Sequence, residues 1–302
     1  MIRPRIHVLL PVHNRSATTK LFIDCLNAQT YRDWHLVLID DGSTDGTAAM
    51  VREQVQNLTV LTGRGDWWWG GALHQGYEWL KREKLPAEDI VLITNDDTEF
   101  DPDFLEMAVA ALKQRSLLLA QLYNLATGEF CEAGVVWNWR KFDWAAVSGG
   151  DGINCFSTRG LFLRVGDFLE IGGFHPVLLP HYLSDYEFTQ RSHRKGFALI
   201  TDPRLFLRYD ANLTGQRKVE DISLFKSLRA PFSVKSTENP IYWTSFVLLA
   251  SPAIYAPLNV LKVWWRFSSP LVNRVGPYLS TAKRRTRKLW AIITGTAKPH
   301  AL

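Results

Sequence analysis

The sequence predicts an α/β protein built on a doubly wound, mainly parallel sheet, and three observations carry that expectation. Leu36-Val37-Leu38-Ile39 is a short apolar run that stops at Asp40-Asp41-Gly42-Ser43-Thr44, the profile of a buried parallel strand entering a turn. Ile90-Val91-Leu92-Ile93-Thr94 repeats the pattern and stops at Asn95-Asp96-Asp97. Segments with apolar residues at helical spacing lie between such runs, and that alternation implies right-handed crossovers. Open α/β sheets bind ligands beyond the carboxyl ends of their strands. Two acid-bearing strand ends therefore predict a crevice for a polar ligand together with a divalent cation.

Taken in order, Ile6–Val12 reads as the first strand. Ser16 is placed to cap a helix running to about Gln29, with Leu21, Phe22, Cys25 and Leu26 on one face. Leu36–Ile39 is the second strand, and Ser43 or Thr44 caps a second helix with Ala48, Val51 and Val55 inward. Leu58–Leu61 is a third strand, Gly71–Glu83 a helix and Ile90–Thr94 a fourth strand. Asp101-Pro102 opens another helix, because proline suits the first helical position. From Leu117 to Tyr209 the pattern turns irregular and aromatic; Val135–Trp144 reads as strand or loop and Asp185–Lys195 as a helix.

The 302 residues suffice for one large core plus an appendage. Cys25, Cys131 and Cys155 are far apart and odd in number, without a disulfide framework or zinc spacing. Met1–Arg5 leads straight into a strand with no signal-peptide pattern, so a reducing, cytoplasmic setting is expected. The net charge of +5 is uneven: residues 239–302 hold nine basic and no acidic residues, leaving residues 1–238 at −4. The basic character belongs to the tail, which argues against nucleic-acid binding by the main body. No phosphate-binding P-loop pattern occurs.

Several motifs, in order, resemble glycosyltransferase family 2. They are Leu10-Pro11-Val12-His13-Asn14-Arg15, Ile39-Asp40-Asp41-Gly42-Ser43-Thr44-Asp45-Gly46, Gly70-Gly71-Ala72-Leu73-His74-Gln75-Gly76, Asn95-Asp96-Asp97, Gly172-Gly173-Phe174 and Ser184-Asp185-Tyr186-Glu187-Phe188-Thr189-Gln190-Arg191. The resemblance spans roughly residues 5–210 and extends to rhamnosyl- and hexosyltransferases of bacterial surface polysaccharide synthesis. It implies a GT-A fold, a Rossmann-like nucleotide-binding half within a mixed, mainly parallel sheet, followed here by an amphipathic helical appendage. The expected division is 1–238 for the transferase domain, with 1–115 binding the nucleotide sugar and 116–238 the acceptor, and 239–302 for the tail. Asn95, Ser184 and His74 depart from the residues the family commonly carries at those places.

The resemblance implies roles residue by residue. Asp97 is the expected ligand of Mn²⁺ or Mg²⁺, with Asp96 beside it near the metal or ribose, and Asp210 lies where relatives carry a metal-binding histidine. Asp41 is expected to bind the nucleobase, and Pro11, Val12, Asn14, Gly70 and Gly71 to line the donor pocket. Asp185 is the expected base of an inverting transfer, although helix capping fits its position equally well. Glu187 and Arg191 are spaced for an intrahelical ion pair. Trp67-Trp68-Trp69 cannot all point inward, so Trp68 and Trp69, with His181 and Tyr182, are acceptor candidates beside the alternative of packing under a loop.

Ile241–Leu261 carries no charge over 21 residues, but Pro252 and Pro257 break it into short helices. Trp264-Trp265-Arg266 and Lys283-Arg284-Arg285-Thr286-Arg287-Lys288 follow, then apolar Leu289–Ile293. Such a tail over 241–293 suits an anionic membrane surface on the inner face of the cell membrane; packing on the core or on a second copy in a homodimer, or a true span, are the alternatives. The functional expectation is transfer of a sugar from a nucleoside diphosphate sugar to a hydroxyl of a glycan, lipid-linked, acceptor. A non-catalytic nucleotide-sugar binder or membrane scaffold is the rival class. A nucleotidyltransferase is disfavoured because no glycine- and basic-rich loop follows the first strand.

Overall fold

The computed structural model describes residues 3–148, 152–210 and 230–268. The main sheet is laid down by β1 (Ile6–Val12), β2 (Trp34–Asp40), β3 (Leu58–Thr62) and β4 (Ile90–Ile93), all parallel, in the order β3-β2-β1-β4. Beyond β4 it becomes mixed. β10 (Leu161–Arg164) runs antiparallel to β4 and to β6 (Ser116–Asn124), and β6 pairs in parallel with β11 (Ala198–Tyr209). The two-residue β5 (Thr98–Glu99) closes that edge on β11, and β7 (Phe130–Glu132) branches from β6. A separate hairpin pairs β8 (Val135–Asn138) with β9 (Asp143–Ala146).

Side chains alternate across each strand, and the two faces are covered by different helices. Val8, Leu10, Leu36, Leu38 and Leu92 pack under α1 (Ser16–Asn27), α2 (Thr47–Gln54) and α4 (Phe104–Ala111) through Phe22, Ile23, Leu26, Val51, Phe104 and Leu105. Leu9, Val37, Ile39, Val91 and Ile93 face the other way, against Leu73, Leu80, Phe168 and Phe188 of α3 (Trp68–Glu83), α5 (Val165–Ile171) and α6 (Ser184–Arg194). This is the expected doubly wound, mainly parallel α/β architecture, with helices following at the C-terminus. The carboxyl ends of β1, β2, β4, β6 and β11, and the start of β10, meet at one edge.

Local differences from the sequence expectation have physical reasons. Ser16 and Thr44 cap nothing; Asp45 instead accepts from the backbone N–H of Ser16 at 2.9 Å and of Thr47 at 3.1 Å, so one carboxylate serves the first turns of α1 and α2. Leu21, expected inward, is 56% exposed, and Phe22 and Ile23 fill that face. The helix expected from Asp101-Pro102 starts at Phe104, because the Pro102 carbonyl turns aside to accept from Thr30 and Gln29 Oε1 takes the N–H of Leu105.

The uncharged run after Glu238 divides as its prolines dictate. Asn239 caps α7 (Pro240–Ala250), accepting from Ile241 N at 3.0 Å, and a second helix covers 256–268. Phe246, Val247, Ala250 and Val263 from these helices join Trp137, Phe142, Leu179 and Leu183 in a third apolar cluster. One face of the segment is therefore packed on the main body. Among the described residues no helix is long and apolar enough to cross a membrane. The basic run 283–288 and the apolar 289–293 lie outside the described residues.

Candidate active site

The acid crevice lies where β1, β2 and β4 end. Asp41 follows β2 and is buried; its carboxylate accepts from the backbone N–H of Gly65 (2.8 Å), Trp67 (2.9 Å) and Trp68 (3.2 Å). Its own N–H donates to the Val12 carbonyl at 3.0 Å, and its carbonyl meets His13 Nδ1. Gly42 sits at φ +73° with a Cβ position 2.9 Å from the Arg64 carbonyl carbon. This is why the double acid is followed by glycine: only glycine lets the 63–68 loop approach so closely. Asn14, itself at φ +52°, accepts from Thr44 N at 2.8 Å and ties β1 to the turn after β2. Pro11 is partly buried within β1, and the Val12 side chain belongs to the core rather than to a pocket wall.

Asp96 and Asp97 end β4, and both are buried. Asp96 accepts from Thr19 Oγ1 at 2.9 Å and pairs with Arg15 Nε at 2.8 Å; burial raises its carboxyl against the pull of Arg15. Asp97 pairs with Arg159 Nη1 and lies 3.7 Å from Arg15 Nη2. The antiparallel register Arg208↔Glu99 and Tyr209↔Thr98 directs the chain so that Asp210, one residue on, comes to the Asp97 side. Among the described residues no three His, Cys, Asp or Glu side chains gather to hold a metal by themselves. The donor set fits a hard cation shared with substrate phosphates, the mode in which one or two carboxylates suffice.

Asp185 opens α6, one residue after Ser184, which is buried and whose Oγ donates to the His181 carbonyl at 2.7 Å. Leu183 just before it adopts φ +68°. Burial, with the nearby Glu132 charge adding to it, pushes the Asp185 carboxyl up to about 7, against one hydrogen bond from the Tyr186 N–H at 2.9 Å. A carboxyl held there is poised to take a proton near neutral pH. Glu187 and Arg191 form the expected i,i+4 pair, with Nε–Oε1 at 2.9 Å and Nη2–Oε2 at 3.0 Å. Arg191 also donates to the carbonyls of Ile171, Gly172 and Gly173, so this pair pins the Gly172-Gly173 turn to the helix that carries Asp185.

The tryptophan triplet divides between core and site. Trp67 and Trp69 are half-buried and pack against the α3-side core. Trp68, at φ +56°, turns to the His181 ring (5.7 Å between centroids) and lies under Lys235 Nζ (5.4 Å). The His181 ring is tilted by 44° against that of Tyr182, with centroids 4.2 Å apart, and burial, with Lys235 nearby, lowers its imidazole to about 4, so it is neutral. Gly70 and Gly71 are buried in α3; a Cβ on Gly70 would meet Leu179, Pro180 and Ser184, and one on Gly71 would lie between Trp67, of the loop that Asp41 holds, and Pro176. His74 packs beneath Gly173, a structural place.

Three residues of the site carried no sequence signal as site residues. Arg15 lay inside a recognised motif without an assigned role. Arg159 precedes β10 in an unremarkable stretch. Glu132 closes β7, a strand too short and exposed to be read from its pattern, and burial raises its carboxyl.

The sheet order, the acid-ended β2 and β4, and the carboxylate-bearing α6 define a GT-A type α/β fold. Residues 7–129 match the sequence model of Glycosyl transferase family 2, so the family resemblance holds over that stretch. The chain is 34% identical over 50 residues to EpsE of Bacillus subtilis (strain 168), a glycosyltransferase by name; that stretch is 17% of this chain and 18% of EpsE. Its fold is shared with the mannosyltransferase PcManGT of Pyrobaculum calidifontis, solved with GDP-Man and Mn²⁺ (TM-score 0.52, 17% identity, 97% of this chain and 85% of that one). It is shared also with residues 1–349 of S. aureus TarS (TM-score 0.56, 14% identity, 86% and 89%).

Proposed function

We propose that this protein is an inverting, metal-dependent glycosyltransferase. It moves a hexose or deoxyhexose from a nucleoside diphosphate sugar, UDP- or dTDP-linked by preference, to a hydroxyl of a lipid-linked glycan in cell-surface polysaccharide synthesis (O-antigen, capsule or exopolysaccharide). The observation that carries this reading is Asp185, whose carboxyl burial pushes up to about 7 and whose neighbour Glu132 also feels Arg159, the partner of Asp97.

In this reading Asp185 accepts the proton of the acceptor hydroxyl. The freed oxygen attacks the anomeric carbon on the face opposite the diphosphate; the bond from that carbon to the phosphate oxygen breaks, and the nucleoside diphosphate leaves. A divalent cation held by Asp97, with Asp96 and Asp210 beside it, would neutralise charge on the departing diphosphate. Asp41 shapes the nucleoside pocket by fixing the 63–68 loop, and Asn14 and Pro11 line it. Trp68, His181 and Tyr182 offer apolar ring faces to the acceptor. The fold shared with PcManGT, whose complex holds GDP-Man and Mn²⁺, supports the donor class and the metal.

The tail face supports attachment to an anionic membrane at the inner surface. Ile254, Leu258, Leu261 and Trp265 recur at helical spacing and are 53–80% exposed, with Lys262 and Arg266 beside them.

The test is thermal stabilisation by UDP-, dTDP-, GDP- and CMP-sugars with and without Mn²⁺, in wild type and Asp97→Ala. A shift for one donor that needs both Mn²⁺ and Asp97 is expected. No shift with any donor, and no transfer to glycan acceptors, would overturn the reading in favour of a scaffold.

A further inference from the structure

Both crevice acids already carry a guanidinium. Arg15 Nε sits 2.8 Å from Asp96, and Arg159 Nη1 sits 2.5 Å from Asp97 Oδ1, while Arg15 Nη2 stands 3.7 Å from the other Asp97 oxygen. Arg159 is 14% exposed, with its Cζ 4.6 Å from the centre of the Tyr209 ring. The four side chains together are formally neutral. A divalent cation arriving alone must compete with Arg159 for Asp97 and sit its double positive charge beside a largely buried guanidinium. A diphosphate arriving alone meets two carboxylates. Arriving together, cation and diphosphate keep the crevice near neutrality, and the phosphate oxygens offer Arg159 an acceptor that matches its planar fork.

We propose that Arg159 couples cation binding to donor binding by holding Asp97 until a diphosphate takes over its guanidinium. Arg159 is thus a positioning residue for the cation site and a contact for the donor phosphates, with the Tyr209 ring as the surface over which it moves. This rests on the donor reading above. Because coupling between two ligands is reciprocal, it is measurable from the metal side without any turnover.

The experiment titrates Mn²⁺ into the full chain and follows free Mn²⁺ by electron paramagnetic resonance, alone and with UDP, dTDP or GDP, corrected for Mn²⁺–nucleotide complexes in solution. Wild type is expected to bind Mn²⁺ alone weakly and at least about tenfold more tightly with the fitting nucleotide. Arg159→Met is expected to bind Mn²⁺ alone about fivefold more tightly than wild type, with the coupling cut to about threefold or less. Unchanged Mn²⁺ affinity and unchanged coupling in a folded Arg159→Met overturn the proposal. Should that variant fail to melt cooperatively, Arg159→Lys carries the test, since it keeps the charge and loses the fork; full wild-type coupling in it also overturns the proposal. A wild type that binds no nucleotide at any Mn²⁺ concentration overturns the donor reading and this inference together. Nucleotide binding with coupling untouched by Arg159 overturns this inference alone.

Discussion

Gly70 lies directly against the Leu179 carbonyl: a Cβ at Gly70 would collide with that oxygen and come within 3.0 Å of Ser184 Cβ. The Gly70 N–H donates to the neighbouring Pro180 carbonyl at 2.8 Å. The glycine motif that opens α3 is therefore a seat for the 179–184 segment, and that segment delivers Asp185. Gly70, expected to line the donor pocket, thus also touches the segment that leads into Asp185.

Gly70→Ala must push the 179–184 backbone away from α3. The expected cost is about 2–3 kcal/mol of stability, since backbone rather than a flexible side chain has to yield. Activity falls further than stability explains, because Asp185 moves with its segment. Urea unfolding and initial rates on the same preparation check this; a variant with wild-type rate and wild-type midpoint refutes it.

Asp41 invites a second prediction. Its carboxylate satisfies three backbone N–H groups of the 63–68 loop. Asp41→Ala leaves those donors without their acceptor and is expected to lower stability by about 2–4 kcal/mol, because each unpaired buried donor carries a desolvation cost. Nucleotide-induced stabilisation disappears with it. A variant that loses nucleotide binding but keeps its full melting temperature would mean that Asp41 touches the base without building the loop.

How much of this was legible in the sequence depends on range. β1 to β4 and the helices between them were readable because a buried parallel strand is one continuous apolar run, and α1 and α3 carry clear helical faces. Acids at the ends of β2 and β4 were readable as a crevice because the topology puts every such end at one edge. The capping roles were misassigned because Asp45 reaches two helices whose starts are distant in sequence. Arg159 and Glu132 were invisible for the same reason. Their relation to Asp97 and Asp185 exists only after β10 and β7 have joined the sheet. The run Ile241–Leu261 read as uniformly uncharged, yet Phe246 and Val247 are buried on the body whereas Leu258, and Trp265 just beyond it, face outward, a distinction set by the Trp137–Phe142 surface.

That outward face gives a third prediction. Leu258→Glu combined with Trp265→Glu should abolish sedimentation with phosphatidylglycerol vesicles, lowering partitioning at least about tenfold per side chain removed. The melting temperature should not fall, since both residues are largely exposed. Wild-type binding should weaken at high salt and on phosphatidylcholine alone, as expected where basic residues add to apolar insertion. Salt-independent binding, or full binding by the double variant, would remove the membrane from the account.

Asp185 gives the last prediction, and its sign can be worked out in both activity and stability. The base acts only when deprotonated, so kcat/KM should rise with pH through about 7, with unit slope below and a plateau above. Asp185→Asn should lose at least about a hundredfold in rate, keep donor-induced stabilisation, and show no such rise. For stability, the folded carboxyl titrates near 7 and the unfolded one near 3.8. Between those values the folded chain retains a proton that the unfolded chain has released, so stability falls as pH rises across that window. Above it the ionised, enclosed carboxylate costs at most about 4 kcal/mol, the equivalent of the shift at 1.36 kcal/mol per unit. Asp185→Asn should therefore gain stability relative to wild type at pH 8 and lose that advantage near pH 4. Melting curves of both proteins across pH 4–8 decide it. A difference that does not change with pH would place Asp185 in an ordinary, solvated setting and leave the transfer without its base.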